Sequence, residues 1–241
     1  ATVTRAPRSL LPSIAEISGV LAVDARIANI AIAKIDGMTE PASALLISLP
    51  ETGDDGLNRL YLRSGRLPEA GSRAEAVVSE MFAMAHHLVQ GSNFSVLVNG
   101  ALREVAVTGI ALSPEYIYAL SPGEILPDEN RFGIVWMPEQ ELAAAYGLEG
   151  AFSSLSVKLL PGVSKAAVIA SLDRLLAPYG GQGAYDREQQ ASHSYLNAEL
   201  TQLRSLSQVL PPVFLLVAAF LVNMTLSRLI AVEREEIGLL K

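Results

Sequence analysis

The sequence of 241 residues contains no cysteine. Disulfide bonds, thiolate catalysis and zinc sites with cysteine ligands are therefore excluded, whereas the redox compartment stays open. Basic residues are in the minority, since 18 lysines and arginines stand against 25 acidic residues and give a formal net charge of -7. Residues 1–208 carry this whole charge, with 15 basic and 22 acidic residues. A nucleic-acid partner needs a basic face, so this composition argues against one.

Motifs that mark common active sites are lacking as well. The sequence has no G-x-x-x-x-G-K-[ST], so the chain cannot itself be a P-loop ATPase. H-E-x-x-H, G-x-S-x-G and S-x-x-K are also absent. We therefore expect no catalytic residue, no cofactor-binding residue and no metal ligand. The chain is predicted not to be an enzyme and to need no cofactor.

The few histidines do not form a convincing site. His86 and His87 are neighbours on a predicted helix. Neighbouring helical side chains point about 100° apart, which makes joint ligation of one metal ion difficult. His193 follows Asp186 and Glu188 closely enough for a proton relay to be drawn, but we place it on a polar helix face. An ordinary surface or core role is favoured for all three histidines.

Glycines and paired acids also fit plain structural roles. The stretch "GGQGAY" at 180–185 follows a predicted helix, whereas a phosphate-binding loop joins a strand to a helix. The pairs Asp54–Asp55 and Asp128–Glu129 lie in turn-rich stretches. Solvated loops explain them better than a calcium site, which needs several oxygen ligands at defined spacing.

One long hydrophobic run stands near the C-terminal end. Of the twenty residues 213–232, sixteen are apolar, and twenty helical residues span about 30 Å, the thickness of a hydrocarbon core. We predict a transmembrane helix over 209–232, and the alternatives are a buried core helix or a short amphipathic helix. Asn223 and Ser227 share a helix face that could pack on another membrane helix. Arg228 lies near one end, where its side chain can reach the lipid headgroups.

Basic residues near the ends of this run indicate its orientation. Arg228, Arg234 and Lys241 stand at or beyond one end, and only Arg204 stands in the twenty residues before it. The positive-inside rule then places the C-terminal end in the cytoplasm. We expect residues 1–208 to be extracytoplasmic or periplasmic, anchored in the cell (inner) membrane.

A long helix is predicted to lead into the membrane. Asp186 with Gln189 resembles a capping box, and leucines then recur every three or four residues from Leu196 to Leu210. Proline lacks an amide donor and its ring clashes with the preceding turn. We therefore expect the pair Pro211–Pro212 to break or kink this helix.

The remaining chain predicts an α+β fold. Residues 7–19 have a helical pattern, whereas 20–35 and 43–50 have the composition of strands. Near the other end, 152–160 is typical of a strand, and a helix follows with Ser164 as its N-cap and Gly180 at its end. The segment 183–189 fits a short strand or a loop. The order of these two strand–helix–strand units predicts an α+β sandwich that is split by an insertion; we call the two units together the base.

A β-rich lobe at 59–150 interrupts this base. Its clearest signal is Asn99–Gly100 between two strand-like runs, which predicts a two-residue hairpin turn. Pro138 is expected to open a short helix. Tyr116 and Tyr118 lie in a loop, where they could contact a partner or an apolar substrate. The alternative, an aromatic pair that caps the core, is favoured.

These residues resemble a known family at both ends of the chain. "RLIAVEREEIGLLK" is similar to the start of the FtsX-like permease domain of ABC transporters, with the matching positions Arg234, Glu236, Ile237, Gly238, Leu239, Leu240 and Lys241. The rest resembles the MacB-type extracytoplasmic domain. There the matching features are Gly65, Arg66 and Pro68, then "EAVVSEMFAMAHHLVQG", and then the Asn99–Gly100 hairpin.

The resemblance implies a two-part domain, made of the membrane-proximal base (1–58 and 151–208) and the inserted lobe (59–150). It also implies that 233–241 begins a cytoplasmic segment that receives motion from an ATPase. We expect the chain to be the extracytoplasmic domain of a larger membrane protein, ending shortly after it enters the bilayer. The family has at least four membrane helices, whereas this sequence has one. The implied partners are a separate cytoplasmic ABC ATPase subunit, membrane lipid, and a second permease in a homodimer or pseudo-dimer.

Three functions are therefore considered. The first is a permease domain that couples ATP hydrolysis on a separate subunit to export, or to lipid or lipoprotein release, by a mechanical lever. The second is a membrane-anchored binding or sensory domain without transport. The third is an anchored extracytoplasmic enzyme, which the missing motifs disfavour.

Overall fold

The computed structural model describes residues 1–50, 57–72, 74–124 and 126–238, without the side chains of 231–238. The chain divides into two compact units, Ala1–Ser194 and Tyr195–Lys241. The described strands are β1 (Thr2–Pro7), β2 (Val20–Arg26), β3 (Ala28–Lys34), β4 (Ala42–Leu49), β5 (Tyr61–Gly65), β6 (Glu75–Ser79), β7 (Asn93–Val98), β8 (Ala101–Leu112), β9 (Phe132–Pro138) and β10 (Ala151–Leu159). The α-helices are α1 (Leu11–Ala15), α2 (Glu80–Ala85), α3 (Glu139–Tyr146), α4 (Lys165–Leu176) and α5 (Ala191–Gly238).

A small antiparallel sheet joins the two ends of the first unit. Its strand order is β1–β10–β2, and its apolar face packs against α1 and α4 around Ile14, Phe152 and Leu172. Helix α4 begins where predicted, because the Ser164 hydroxyl accepts a hydrogen bond from the Ala167 amide at 3.4 Å. A three-residue 3-10 turn follows α4, and Gly180 adopts the left-handed conformation after it. This sheet with α1 and α4 is called the base below.

A larger sheet forms the lobe and closes on itself. Its order is β5–β8–β6–β9–β4–β3–β7, and the twelve-residue β8 pairs with β7 as well as with β6 and β5. Small and branched residues alternate along the strands, so that one face lines an enclosed core that also includes apolar residues of α2 and α3. The predicted hairpin is confirmed, because Asn99 and Gly100 have φ of 47° and 80°, as a type I′ turn requires.

The outer face of this sheet carries a second apolar cluster. Loops on either side of β5 and after β8 cover it, through Leu60, Leu67 and Tyr116. The buried members are Ile47, Val77, Ala111, Phe132, Ile134 and Trp136. This set is called the outer cluster below. The α+β class with a β-rich lobe is therefore confirmed, and the lobe holds buried residues on both faces of its sheet.

The strand expected over 20–35 is in fact two strands in different sheets. Strand β2 pairs with β10 in the base, and β3 pairs with β4 and β7 in the lobe. Only Ile27 separates them. It is fully buried, its amide donates to the Ser48 hydroxyl at 2.9 Å, and its carbonyl accepts from the Ser48 amide at 2.8 Å. Strands β3 and β4, which we expected in the base, thus belong to the lobe sheet. The sequence hides this crossing because it needs no glycine or proline.

Other expectations near the base need correction. The helix predicted over 7–19 is a 3-10 turn at Arg8–Leu10 followed by the five-residue α1, and the residues before it form β1, which sequence reasoning missed. Of the two alternatives for 183–189, the structure has the loop, which ends in a 3-10 turn at Arg187–Gln189. The second unit is therefore strand–helix only, and β1 and β2 complete the base sheet. Strand β10 already has β1 on one side and β2 on the other, so the residues after α4 have no place beside it.

Of the break or kink predicted at the proline pair, the break is wrong and a kink stays a prediction. Helix α5 runs from Ala191 to Gly238 with Pro211 and Pro212 inside it. Each proline removes one amide donor, so the carbonyls four residues earlier, at Ser207 and Gln208, lose their helical partners. The helical path continues through this loss because the preceding and following turns keep their own hydrogen bonds.

Gly65 shows why a glycine stands at the end of β5. Its φ is +78°, and a side-chain carbon there would lie 2.2 Å from the Thr108 carbonyl oxygen of β8. The strand β5 therefore approaches β8 as closely as backbone atoms allow. Gly100 has a similar φ of +80°, but an added carbon would meet nothing within 4 Å.

The pair Gly65→Ala and Gly100→Ala separates close approach from backbone strain. Both changes bear the strain of a left-handed alanine, about 1–2 kcal/mol, but only Gly65→Ala adds a collision with backbone. We expect Gly65→Ala to melt at least ~5 °C below Gly100→Ala, since 1 kcal/mol shifts Tm by about 2–4 °C in a chain of this size. Thermal unfolding of the purified protein measures this. Equal melting temperatures would contradict the close approach of β5 and β8.

Candidate functional site at the junction of the two sheets and the long helix

Arg26 is the last residue of β2, directly before the chain crosses between the sheets. Its side chain is 10% exposed. Nη2 donates to both carboxylate oxygens of Glu115, at 3.0 and 2.7 Å, and to the Ser156 hydroxyl at 3.1 Å. Asp24 Oδ2 stands 3.6 Å from Nε. Burial opposes the charged guanidinium, but the adjacent carboxylates outweigh it and raise the pKa of Arg26 above its usual value.

Glu115 connects this arginine to two further segments. It lies in the loop after β8, and its side chain is 17% exposed. Asn58 Nδ2 donates to its Oε2 at 2.8 Å. The backbone carbonyl of Glu115 accepts from Gln190 Nε2, also at 2.8 Å. Glu115, in the loop after β8, therefore binds the base through its side chain and the residue before α5 through its backbone carbonyl.

The first turn of α5 is fixed to the same loop. The Gln190 side chain bridges, because its Oε1 accepts from the His193 amide at 3.0 Å while its Nε2 binds Glu115. It thereby caps one of the free amides at the start of the helix. Ser192 is 3% exposed, and its hydroxyl accepts from the Tyr118 amide at 3.0 Å. We call Arg26, Glu115, Gln190 and Ser192 the junction.

The predicted capping box begins a different element. Asp186 Oδ1 accepts from the amides of Glu188 and Gln189, at 3.0 and 3.3 Å, and caps the 3-10 turn Arg187–Gln189. The long helix starts only at Ala191. Lys165 of α4 donates to Asp186 and Glu188, at 3.2 and 3.0 Å. Its hydrogen bond holds the pKa of Asp186 below the usual value.

Tyr116 and Tyr118 are both partly buried and contact other parts of the domain. Tyr116 packs against the outer cluster, and burial, with the nearby Glu115 charge, raises its pKa far above the usual range. Tyr118 contributes its amide to the helix start. Ile117 between them is 45% exposed. A contact of this loop with another protein stays a prediction, whereas the core-capping arrangement is what Tyr116 adopts.

The His86 side chain contacts residues of the lobe. His86 Nε2 lies 3.1 Å from the Asn130 carbonyl oxygen, and its ring meets Phe82 edge-on at 4.5 Å. Burial lowers the pKa of His86. Within the described ranges, no three histidine or acidic residues are grouped as a metal site would need.

The acidic pairs divide between the described and undescribed parts of the chain. Asp128 closes a turn, since its Oδ1 accepts from the Asn130 amide at 3.0 Å. The pair Asp54–Asp55 lies outside the described residues.

The second unit contains the apolar segment. Of the described helices, α5 is the one long and apolar enough to cross a membrane, judged by length and composition over Ala191–Ile230. Ser227 donates to Asn223 Oδ1 at 3.4 Å, so the two polar residues do share a face. Arg234, Glu236, Ile237 and Gly238 continue the helix. Lys241 lies outside the described residues.

Comparisons with solved structures find domains of transporters. The extracellular domain of the noncanonic ABC-type transporter YknZ from Gram-positive bacteria is 16% identical, with 72% of this chain and 83% of that chain covered and a TM-score of 0.48. The periplasmic region of MacB from Actinobacillus actinomycetemcomitans is also 16% identical, with 72% and 76% covered and a TM-score of 0.43. No protein-family model and no curated protein sequence matches the chain. The solved structures are of the kind that the sequence resemblance named.

Sequence reasoning missed the junction residues. Arg26 and Asp24 interrupt an otherwise apolar run, and charges within such a run were the available signal. Glu115 stands between Pro114 and Tyr116 in a loop, and nothing in the sequence marks its side chain as largely buried. Gln190 follows an identical residue and has no motif of its own.

Removing the charge of Glu115 tests how much the ion pair of the junction contributes to the free energy of unfolding. Glu115→Gln keeps the shape but leaves the Arg26 cation enclosed, so we expect a loss of about 2–4 kcal/mol in the free energy of unfolding. Urea unfolding of the purified protein measures this. The matched control is Glu69→Gln, whose ion pair with Arg66 is exposed, and it should change stability by less than ~0.5 kcal/mol.

The triple variant Asp24→Asn, Arg26→Met and Glu115→Gln identifies the cause. Asp24 is included because its carboxylate stands 3.6 Å from the guanidinium and is largely buried. No unpaired charge then remains, so this protein should be more stable than Glu115→Gln alone. A triple variant that is less stable than Glu115→Gln would show that lost packing, and not the unpaired charge, is responsible.

Proposed function

We propose that this chain is the extracytoplasmic domain of an ABC transporter permease subunit, and that α5 transmits motion to it from a separate ATPase. One observation carries the proposal. The helix that contains the apolar segment begins at the junction, where Gln190 and Ser192 attach it to the loop after β8 and, through Glu115, to Arg26 of the base. A displacement of the helix start therefore acts on both sheets at once.

The polarity of the chain supports this arrangement. The basic residues Arg228, Arg234 and Lys241 favour a cytoplasmic C-terminal end. Residues 1–208 then lie outside the cytoplasm, and the protein is placed in the inner membrane. The domain lacks a P-loop of its own, which agrees with ATP hydrolysis on another subunit.

The division of the domain follows the sheets. We propose a base of residues 1–26 and 151–190 and a lobe of residues 27–150, because the chain passes between the sheets at Ile27 and returns at β10. This moves β3 and β4 from the base, where the sequence put them, to the lobe. The segment 209–232 is the proposed membrane helix and 233–241 the start of the cytoplasmic part.

The mechanism begins at the cytoplasmic end. Arg234, Glu236, Ile237, Gly238 and Lys241 form the proposed coupling segment, which receives the motion of the ATPase. An α-helix resists bending because its turns are closed by backbone hydrogen bonds, and in α5 only the turn before Pro211 and Pro212 lacks some of them. The displacement is therefore carried along α5. It reaches the loop after β8 through two short hydrogen bonds and then moves base and lobe. The result is opening or closing of an extracytoplasmic cavity, which would drive export or the release of lipid or lipoprotein.

The membrane helix also offers a contact for a second permease. Asn223 and Ser227 share one face, and polar groups in hydrocarbon are favoured at helix–helix contacts. Arg228 can extend to the lipid headgroups. We propose a homodimer or pseudo-dimer that forms through this face.

Co-purification tests the partner. The full-length protein, taken gently from its native membrane, should carry ATP hydrolysis with it. Ile237→Asp should lose this activity by detaching the ATPase, and the conservative Ile237→Leu should keep it. A pure preparation that has no ATPase subunit would favour the membrane-anchored binding or sensory domain instead.

Substitution of Gln190, which attaches α5 to the loop after β8, tests whether α5 acts as a lever. Gln190→Ala removes both the helix cap and the bond to Glu115, whereas Gln189→Ala changes a neighbouring exposed glutamine. Residues 1–241 contain no cysteine, so in a complex whose other cysteines are replaced, a fluorophore attached at Ile117→Cys reports on this loop. ATP should change its fluorescence in the Gln189→Ala protein, and the change should be reduced several-fold in Gln190→Ala while ATP hydrolysis persists.

A flexible Gly-Ser insertion after Leu206 examines the same lever within the helix. It should abolish the fluorescence change and uncouple hydrolysis from transport. The same insertion after Gly37, in the exposed turn between β3 and β4, is the control for inserting residues as such. An intact ATP response after the Leu206 insertion would disprove the lever.

A further inference from the structure

An open groove crosses the base on the side of β10 and α4. Its volume is about 710 Å³, within the range of roughly 300–1,000 Å³ that small-molecule sites occupy. The end of β10, one face of α4 and the segment before α5 line it. All of these belong to the unit Ala1–Ser194, so the groove lies inside one compact body.

The floor of the groove is apolar. Val157 and Leu159 come from β10, Val163 from the turn that follows, and Ile169 and Leu172 from α4. Four of these residues also pack in the base core, and Ile169 lines the groove only. All but Leu172 are only partly buried. A hydrocarbon chain laid in the groove would complete that burial, which is favourable in proportion to the apolar area removed from water.

The acidic side chains that line the groove are already neutralised. Glu115 is held by Arg26 and Asn58. Asp186 is held by Lys165 and by two backbone amides. Neither carboxylate is left to attract a cation.

Two basic side chains at the groove remain available. Lys158 and Arg187 line it and are exposed. Neither side chain forms a hydrogen bond or an ion pair with any residue in the described ranges. The chain as a whole has a net charge of -7, so a groove whose free charges are both positive is a local exception. Such a site attracts an anion.

We propose that the groove binds an anionic amphiphile with a single hydrocarbon chain. The chain lies on the apolar floor, and the anionic head, a carboxylate or a phosphate, meets Lys158 and Arg187. A two-chain phospholipid is bulkier than a groove of this volume accommodates. Glu115 and Gln190 also line the groove, so a bound ligand touches the junction. This last step, an effect of the ligand on transport, rests on the proposed function; binding itself does not.

Direct binding tests the site without any ATPase. The full-length protein is placed in phosphatidylcholine nanodiscs and titrated with dansylaminoundecanoic acid, with empty nanodiscs subtracted. We expect saturable binding in the micromolar range, displaced by lauric acid. The methyl ester of the probe keeps the hydrocarbon chain but lacks the charge. It should bind roughly tenfold more weakly, since each of the two exposed ion pairs contributes up to about fivefold.

Charge reversal locates the head group. The double variant Lys158→Glu with Arg187→Glu should weaken binding of the acid by at least about tenfold and leave the ester unchanged. Lys34→Glu alters an exposed lysine of β3 that does not line the groove, and it should bind like the parent protein. Ile169→Gln should weaken acid and ester alike.

Three results would overturn the proposal. They are the absence of saturable binding, equal affinity for acid and ester in the parent protein, and stronger competition by phosphatidylglycerol than by lauric acid. The last result would assign the groove to a membrane phospholipid. Failure of the lever experiments with intact probe binding would refute the transport mechanism and leave this site standing.

Discussion

The fold depends on an ion pair that is largely removed from water. Arg26 and Glu115 are 10% and 17% exposed at their side chains, and withdrawing two charges from water costs several kcal/mol per ion before their attraction offsets it. Such a pair adds little net stability compared with two apolar residues. Its role is geometric, because the Glu115 carboxylate of the loop after β8 has to meet both the Arg26 guanidinium and the Asn58 amide. Hydrogen bonds have preferred distances and angles, whereas an apolar contact is not directional.

Next to this ion pair, the backbone groups at the crossing between the two sheets need hydrogen-bond partners. Where a chain leaves one sheet for another, its amides and carbonyls lose their strand partners, and buried groups without partners are costly. Ser48 and Ser153, which are 1% and 4% exposed, supply the missing partners. Ser48 binds Ile27. The Ser153 hydroxyl accepts from the Ala28 amide at 2.9 Å and donates to the Ala28 carbonyl at 3.0 Å. The crossing is therefore fixed on both sides by hydroxyl groups, and Arg26 is held next to it.

Local patterns predicted much of the fold, and pairing between distant segments accounts for what they missed. The Asn99–Gly100 turn, the Ser164 cap and the apolar run in α5 each depend on neighbouring residues, and the structure contains all three. The crossing at Ile27 depends instead on which strands lie beside β2 and β3. Apart from the charges of Asp24 and Arg26, no residue near it differs from an ordinary strand residue. The junction was missed for the same reason, since Glu115 is 89 positions from Arg26 and neither residue type is unusual for a surface.

The proline pair gives α5 two properties that act together. The helix stays continuous through Pro211 and Pro212, so the residues on either side keep a fixed rotational relation. The carbonyls of Ser207 and Gln208 lack helical donors, however, and a turn with fewer hydrogen bonds bends more easily than its neighbours. The pair stands directly before the apolar run, where water can still bind those carbonyls. Under the proposed function, a helix whose first turn is fixed at the junction and whose turn before the apolar run is soft would tilt about that soft turn. A displacement of the C-terminal end of α5 would then reach the junction mainly as rotation of the helix start against Glu115 and Tyr118.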